Sequence, residues 1–227
     1  MAQYQIFRDA LMGMKSLHHL CLNLECFPCL PPSSSPIDII LPTVRALELG
    51  CIKEEAPYTI YFLQSIHAAS LRSLSLDCGA GDYNSLGHRF PSLTSLTLGK
   101  IPVYNRFTLA EMARRFPDIE HLTCYIRGVD EDEDGFGIDH VIGKVLWGSN
   151  DPLWPKVHTI AVNVSGRLMT GCQLTENIIT LQKLGHPIRK LLLPRAILSQ
   201  VQPSLKEVVD LNEFSNDFLE MTWWPER

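Results

Sequence analysis

Apolar residues recur along this chain as a six-residue phrase, apolar-x-x-apolar-x-apolar. It is spelled as Leu17/Leu20/Leu22, Val44/Leu47/Leu49, Leu71/Leu74/Leu76 and Leu93/Leu96/Leu98. It continues as Ile119/Leu122/Cys124, Val157/Ile160/Val162 and Ile188/Leu191/Leu193. An eighth, weaker copy reads Leu205/Val208, with Asp210 in the third slot. Consecutive lead residues are 27, 27, 22, 26, 38, 31 and 17 positions apart. Proline stands two before the lead in five copies, at Pro42, Pro91, Pro117, Pro155 and Pro203.

Each copy predicts a short strand. Residues two apart, such as Leu96 and Leu98, share one face of a strand, and the lead residue turns inward from the preceding corner. Proline before the strand ends the previous element, since it lacks a donor and restricts its neighbour. A unit of this size cannot bury its own apolar row, whereas stacked units bury it continuously. The expected fold class is therefore α/β: a repeat solenoid with a parallel β-sheet on its concave side and irregular helices and loops on its convex side. Residues 1–227 read as one domain of about seven to eight irregular repeats.

Several intervening segments predict a returning helix. In "TLAEMARRF" Thr108 and Glu111 have capping-box spacing, and Leu109, Met112, Ala113 and Phe116 form one apolar stripe. "TENIITLQKLG" offers Thr175 as N-cap and Gly185 as stop, with Ile178 and Leu181 facing inward. Residues 58–69, residues 138–147 and residues 5–14 also read as helices, the last through Phe7, Ala10, Leu11 and Met14. Residues 79–90 leave room for little more than a helical turn.

Strand, corner, helix and corner in repetition resemble the leucine-rich-repeat family, and the L-x-x-L-x-L copies carry that resemblance over nearly the whole chain. The Asn or Cys usual three places after the last strand leucine is mostly missing; Glu25, Ile52, Gly79, Ile101 and Arg127 stand there. The corners must then satisfy their backbone groups by other means, and irregular loops are expected. The variable repeat lengths, the F/W-P-x-apolar joints, and the late "IRKLLLPRAIL" before a tail containing "TWW" resemble the recognition region of divergent fungal F-box proteins. That resemblance implies a substrate-recruiting, protein-binding module of a ubiquitin ligase. It also implies a cullin-ligase adaptor as partner where an F-box precedes the chain. The F-box helices have no counterpart here, residues 1–14 being too short, and a longer product or a partner is expected to cover that end. The rival reading is a stand-alone repeat scaffold or inhibitor unconnected with ubiquitin.

Composition narrows the partner. A net charge of −5 and pI near 5.9 argue against nucleic acid or an anionic membrane, both of which need a basic patch. No apolar run has the length of a span and no secretory signal stands at Met1, so the cytoplasm or nucleus is expected. Seven scattered cysteines, an odd number, read as thiols of a reducing compartment.

Candidate chemistry is sparse, and neither catalytic residues, a metal nor a cofactor is expected. Cys26-Phe-Pro-Cys29 has redox spacing, yet it leads into "LPPSSSP" and cannot open a helix, nor does a second ligand pair accompany it. His18 and His19 are adjacent in a strand and point to opposite faces, while His121 stands two repeats from Asp77. The acidic run Asp130–Asp134 lacks the alternation of a calcium loop and reads as a solvated insertion or an arm for a basic partner. Pro31–Pro36 reads as a loop, and glycine-rich phosphate loops and nucleophile elbows are absent.

The binding face is expected at the third, fifth and seventh positions of each phrase, which point away from the core. They read His19, Cys21, Asn23; Ala46, Glu48, Gly50; Ser73, Ser75, Asp77; and Ser95, Thr97, Gly99. They continue as His121, Thr123, Tyr125; Thr159, Ala161, Asn163; and Lys190, Leu192, Pro194. Asn23, Glu48, Asp77, His121, Tyr125, Asn163 and Lys190 are the expected protein contacts, with His121, Tyr125 and Asn163 foremost because aromatic and hydrogen-bonding groups dominate interfaces.

Overall fold

Seven of the eight apolar phrases become strands. The computed structural model describes residues 2–24, 38–50, 56–77, 86, 89–99, 106–126, 142, 153–164, 172–199, 201 and 203–214. Helix α1 (Ala2–Gly13) precedes β1 (His19–Asn23), β2 (Ile39–Ile40), β3 (Ala46–Gly50), α2 (Ala56–Ser65), β4 (Ile66–His67) and β5 (Ser73–Asp77). Then come β6 (Ser95–Gly99), α3 (Arg106–Arg115), β7 (His121–Ile126), β8 (Thr159–Val164), α4 (Cys172–Lys183), β9 (Lys190–Leu193), α5 (Arg195–Leu198), α6 (Leu205–Val208) and β10 (Asp210–Glu213). The architecture is mixed α/β. Eight strands form one sheet in the order β1-β3-β5-β6-β7-β8-β9-β10, parallel at every pairing, and its two ends do not meet to close a barrel.

The register follows the apolar slots. Leu20, Leu47, Leu74, Leu96, Leu122, Ile160, Leu191 and Leu211 form one continuous row across the sheet. All but Leu211 are buried, as are the lead residues Val44, Leu71, Leu93, Ile119, Val157 and Ile188. A slip of one residue would turn this row to solvent, so burial of one face holds the register.

The joints before the strands have a common geometry. In five of them the N–H of the lead residue donates to the carbonyl three residues earlier: Leu17 to Met14, Val44 to Leu41, Leu71 to Ala68, Leu93 to Phe90 and Val157 to Trp154. Proline at the second position of such a turn arrives with its φ already set. The residue before it points inward, and Leu41, Phe90, Phe116 and Trp154 are all buried. Trp154 adopts φ 51, unusual for a bulky side chain, with its indole entirely buried.

A backbone ladder joins these corners. The carbonyl of the second phrase position accepts two N–H groups of the next strand's corner. His18 accepts from Arg45 and Ala46, Arg45 from Arg72 and Ser73, and Arg72 from Thr94 and Ser95. Thr94 accepts from Glu120 and His121, Glu120 from His158 and Thr159, and His158 from Arg189 and Lys190. Main chain does here what a side-chain ladder does elsewhere. Glu25, Ile52, Gly79, Ile101 and Arg127, where that side-chain ladder would stand, lie outside the described residues.

Several sequence expectations need correction. The eighth phrase is displaced: Asp210 aligns with Lys190, so Val208 is its lead and Leu211 its buried-face slot, not Leu205 and Val208. Leu205 is instead the buried anchor of the joint, within α6. Residues 58–69 do not all form a helix; α2 stops at Ser65, and β4 pairs with β2 through Ile39↔Ile66 and Ile40↔His67. Thr108 and Thr175 are not N-caps, because α3 and α4 begin before them at Arg106 and Cys172. In α1 the buried stripe is Tyr4 and Leu11 with half-buried Phe7, while Ala10 and Met14 are exposed. Tyr4 Oη donates to Ser65 Oγ at 3.1 Å and Phe7 packs on Phe62, so α2 selects that face. The Gly185 stop is as expected: at φ 100 it lets its own N–H reach the Gln182 carbonyl while His186 N–H reaches that of Leu181. Residues 138–147 fall outside the described residues except Ile142, which is buried.

Candidate functional site

The open face of the sheet is built by the pleat. Its first row runs His19, Ala46, Ser73, Ser95, His121, Thr159, Lys190 and Asp210 across all eight strands. The second runs Cys21, Glu48, Ser75, Thr97, Thr123, Ala161, Leu192 and Asn212. These side chains are half-buried or exposed, with the exception of Ala161, expected to face outward but buried between its larger neighbours.

Of the expected contacts, Asn23 lies exposed at the end of edge strand β1, opposite Gly50. Glu48 is half-buried and accepts from His19 Nε2 at 2.8 Å, which occupies both groups. Asp77 and Asn163 lie in β5 and β8, aligned with Gly99 and Tyr125; their side chains fall outside the described residues. His121 and Lys190 share a row, one on either side of Thr159. Asn23 and Lys190 are seven strands apart in the sheet order and do not meet.

The second half of the face holds larger groups than its row positions alone foretold. The Tyr125 ring meets Phe214 edge-on with centroids 5.9 Å apart. Phe214 follows β10, and its N–H donates to the Leu193 carbonyl, which continues the pairing of β10 with β9. Burial raises the Tyr125 phenol above its ordinary value, and the Glu48 carboxylate adds to the effect. His121 meets His158 edge-on at 4.8 Å, with the planes at 82°. Glu120 Oε2 lies 3.8 Å from His158 Nε2, and one ligand-type atom from each of Glu120, His121 and His158 falls within 4.8 Å of the others. Burial, and secondarily His158, holds the His121 imidazole below its ordinary value.

These neighbours were missed for one reason. Glu120 and His158 occupy the second phrase position, read as mere corner, and the register that sets them side by side crosses the longest step between repeats. Phe214 lies beyond the last phrase, and a displaced eighth register hid its row. The pattern did carry the signal, since His158 precedes Thr159 as Glu120 precedes His121.

The thiols offer no activated nucleophile among the described residues. Burial pushes Cys124 up to about 12, and Cys21 is raised by burial and then by Glu48. Both keep their protons at neutral pH. Cys26, Cys29, the acidic run 130–134 and the loop 31–36 lie outside the described residues. No helix among the described residues is long and apolar enough to cross a membrane. Comparison with protein-family models, curated proteins and solved structures finds no match for this chain.

Proposed function

We propose that the chain is a protein-binding module without catalytic chemistry, a leucine-rich-repeat solenoid resembling the substrate-recognition part of an F-box ubiquitin ligase subunit. The observation that carries this reading is the open face of the eight-strand sheet, whose outward rows stay in register over its full width. Such a face presents side chains at a fixed spacing of about 4.8 Å between strands, a rigid surface that loses little freedom on docking. Small residues on β3, β5 and β6 let a partner approach the sheet closely, and Tyr125, Phe214 and Lys190 supply aromatic and cationic anchors. The described thiols are protonated, which favours binding over thiol chemistry.

The test is affinity purification of the full chain from cell extract beside the Tyr125→Ala and Lys190→Glu variants, read by mass spectrometry. A partner captured by the wild type and lost from both variants would support the binding face. A cullin-ligase adaptor among the captured proteins would place the chain in a ubiquitin ligase. A face-dependent partner without the adaptor would favour the stand-alone scaffold or inhibitor. Capture that is indifferent to both substitutions would overturn the reading.

A further inference from the structure

We propose that Glu120, His121 and His158 form a binding site for a divalent transition-metal ion of the zinc class. The site is independent of the protein-binding reading, since it rests on side-chain chemistry at one corner of the sheet.

Two imidazoles and one carboxylate are a donor set suited to zinc, cobalt or nickel and poorly suited to magnesium, which prefers oxygen alone. The scaffold is rigid. His121 lies in β7 opposite Thr159 of β8, and Glu120 and His158 immediately precede them, tied because the Glu120 carbonyl accepts the N–H groups of His158 and Thr159. Main-chain bonds thus place all three side chains at one spot. Their ligand-type atoms lie within 4.8 Å of one another. Tetrahedral zinc with nitrogen ligands at about 2.1 Å requires ligand atoms about 3.4 Å apart, within reach of small χ adjustments on half-exposed side chains.

Second, His158 Nδ1 is 3.0 Å from Thr159 Oγ1. That bond engages one ring nitrogen and leaves Nε2 as the atom facing Glu120. The Nε2 to Oε2 separation of 3.8 Å is too long for a hydrogen bond, yet it suits two ligands of one ion. A metal-bound imidazole usually has its other nitrogen held by a hydrogen bond, which fixes the ring's orientation. Lys190, in the row of His121, opposes a cation, and Asp210 beside it in register offsets that charge. Three protein ligands leave at least one position for water or for a partner's side chain.

The experiment titrates Co²⁺ and Zn²⁺ into the full chain at pH 7.4 in a non-coordinating buffer, read by calorimetry and by the visible spectrum of the cobalt form. One ion per chain is expected, with ligand-field bands of low symmetry and no thiolate charge-transfer band. His121→Ala and His158→Ala should each weaken binding by more than about tenfold, since even outer-shell partners cost that much. Thr159→Val should weaken it less. Excess Mg²⁺ should not displace the ion. Circular dichroism of each variant checks folding, and His121→Gln and His158→Gln serve if an alanine variant is unfolded. Absence of saturable uptake overturns the proposal. So do unchanged affinity in the double histidine variant and a thiolate band, which would assign the ion to cysteines.

Discussion

Strands β3, β5 and β6 and strands β7 to β10 share one backbone device and carry different side chains. In the first group the open rows hold Ala46, Ser73 and Ser95, then Glu48, Ser75 and Thr97; in the second they hold His121, Thr159, Lys190 and Asp210, with Tyr125 reaching Phe214. Phrase steps differ too, 22 and 27 residues within the first group against 38 and 31 leading to β8 and β9. The ladder and the buried row run without interruption from the first group through β9 of the second. Register is therefore set by the inward slots and the corner carbonyls, whereas loop length is tolerated because closing a longer loop costs little more. Stability belongs to one face and chemistry to the other, and the second group has taken up most of the chemistry.

The sharpest way to break that comparison is to cut equally into both groups. Leu96→Ala and Leu191→Ala remove fully buried leucines, one from each, and both should lose about 2–5 kcal/mol in denaturant melts. A mild effect at Leu191 alone would mean that the second group is loosely packed. The outward control Thr97→Ala should stay within about 0.5 kcal/mol. A loss there as large as at Leu96 would invert the assigned faces.

Gly185→Ala probes the joint that ends α4 in the second group. No atom of the described residues stands within 4 Å of an added Cβ, so the cost is that of φ 100, roughly 1–2 kcal/mol. Unchanged stability would mean that the turn rearranges without penalty. A double-mutant cycle on Tyr125 and Phe214 should return a coupling of about 0.5–1.5 kcal/mol, the usual worth of an aromatic pair. Zero coupling would detach Phe214 from the open face.

The smallest effect expected is a pH dependence confined to the second group. His186 is buried with no bonded partner on either ring nitrogen among the described residues, and burial lowers its pKa. The unfolded chain then binds the proton more tightly than the folded one. Stability is level above about pH 6.5 and falls as pH drops through that value toward the folded pKa. His186→Leu should flatten the part of the slope between pH 7 and 5.5 that this ring contributes. Identical slopes in both proteins would show that the ring takes up its proton without loss.

The strands could be read directly, because a strand with one buried face writes its period into the chain. Leu74, Leu96, Leu122, Ile160 and Leu191 were all placed correctly from their phrases, and Gly185 announced its turn by needing φ above zero. Where a residue's role depends on a neighbour distant in sequence, the pattern is silent or misleading. Pro203 imitates the joints at Pro91 and Pro155, yet pairing with β9 draws the eighth strand three residues on, from a lead at Leu205 to one at Val208. Ile66 lies within the helix expected over residues 58–69, but Ile39 offers it a strand partner and a dry place. Ala10 and Met14 lie on a plausible stripe until α2 selects the face of Tyr4 instead.

The outward rows show the same division. His121, Tyr125 and Lys190 could be assigned to the open face from the two-residue period alone, because side chains must alternate across a pleat. That Glu120 and His158 stand beside His121, or that Phe214 reaches Tyr125, depended on which strands become neighbours and in what register. In the strands, local sequence determined which face each side chain takes. Strand pairing across segments of unequal length decided which side chains meet, since proximity in a stacked sheet is a property of the register between repeats and not of any one repeat.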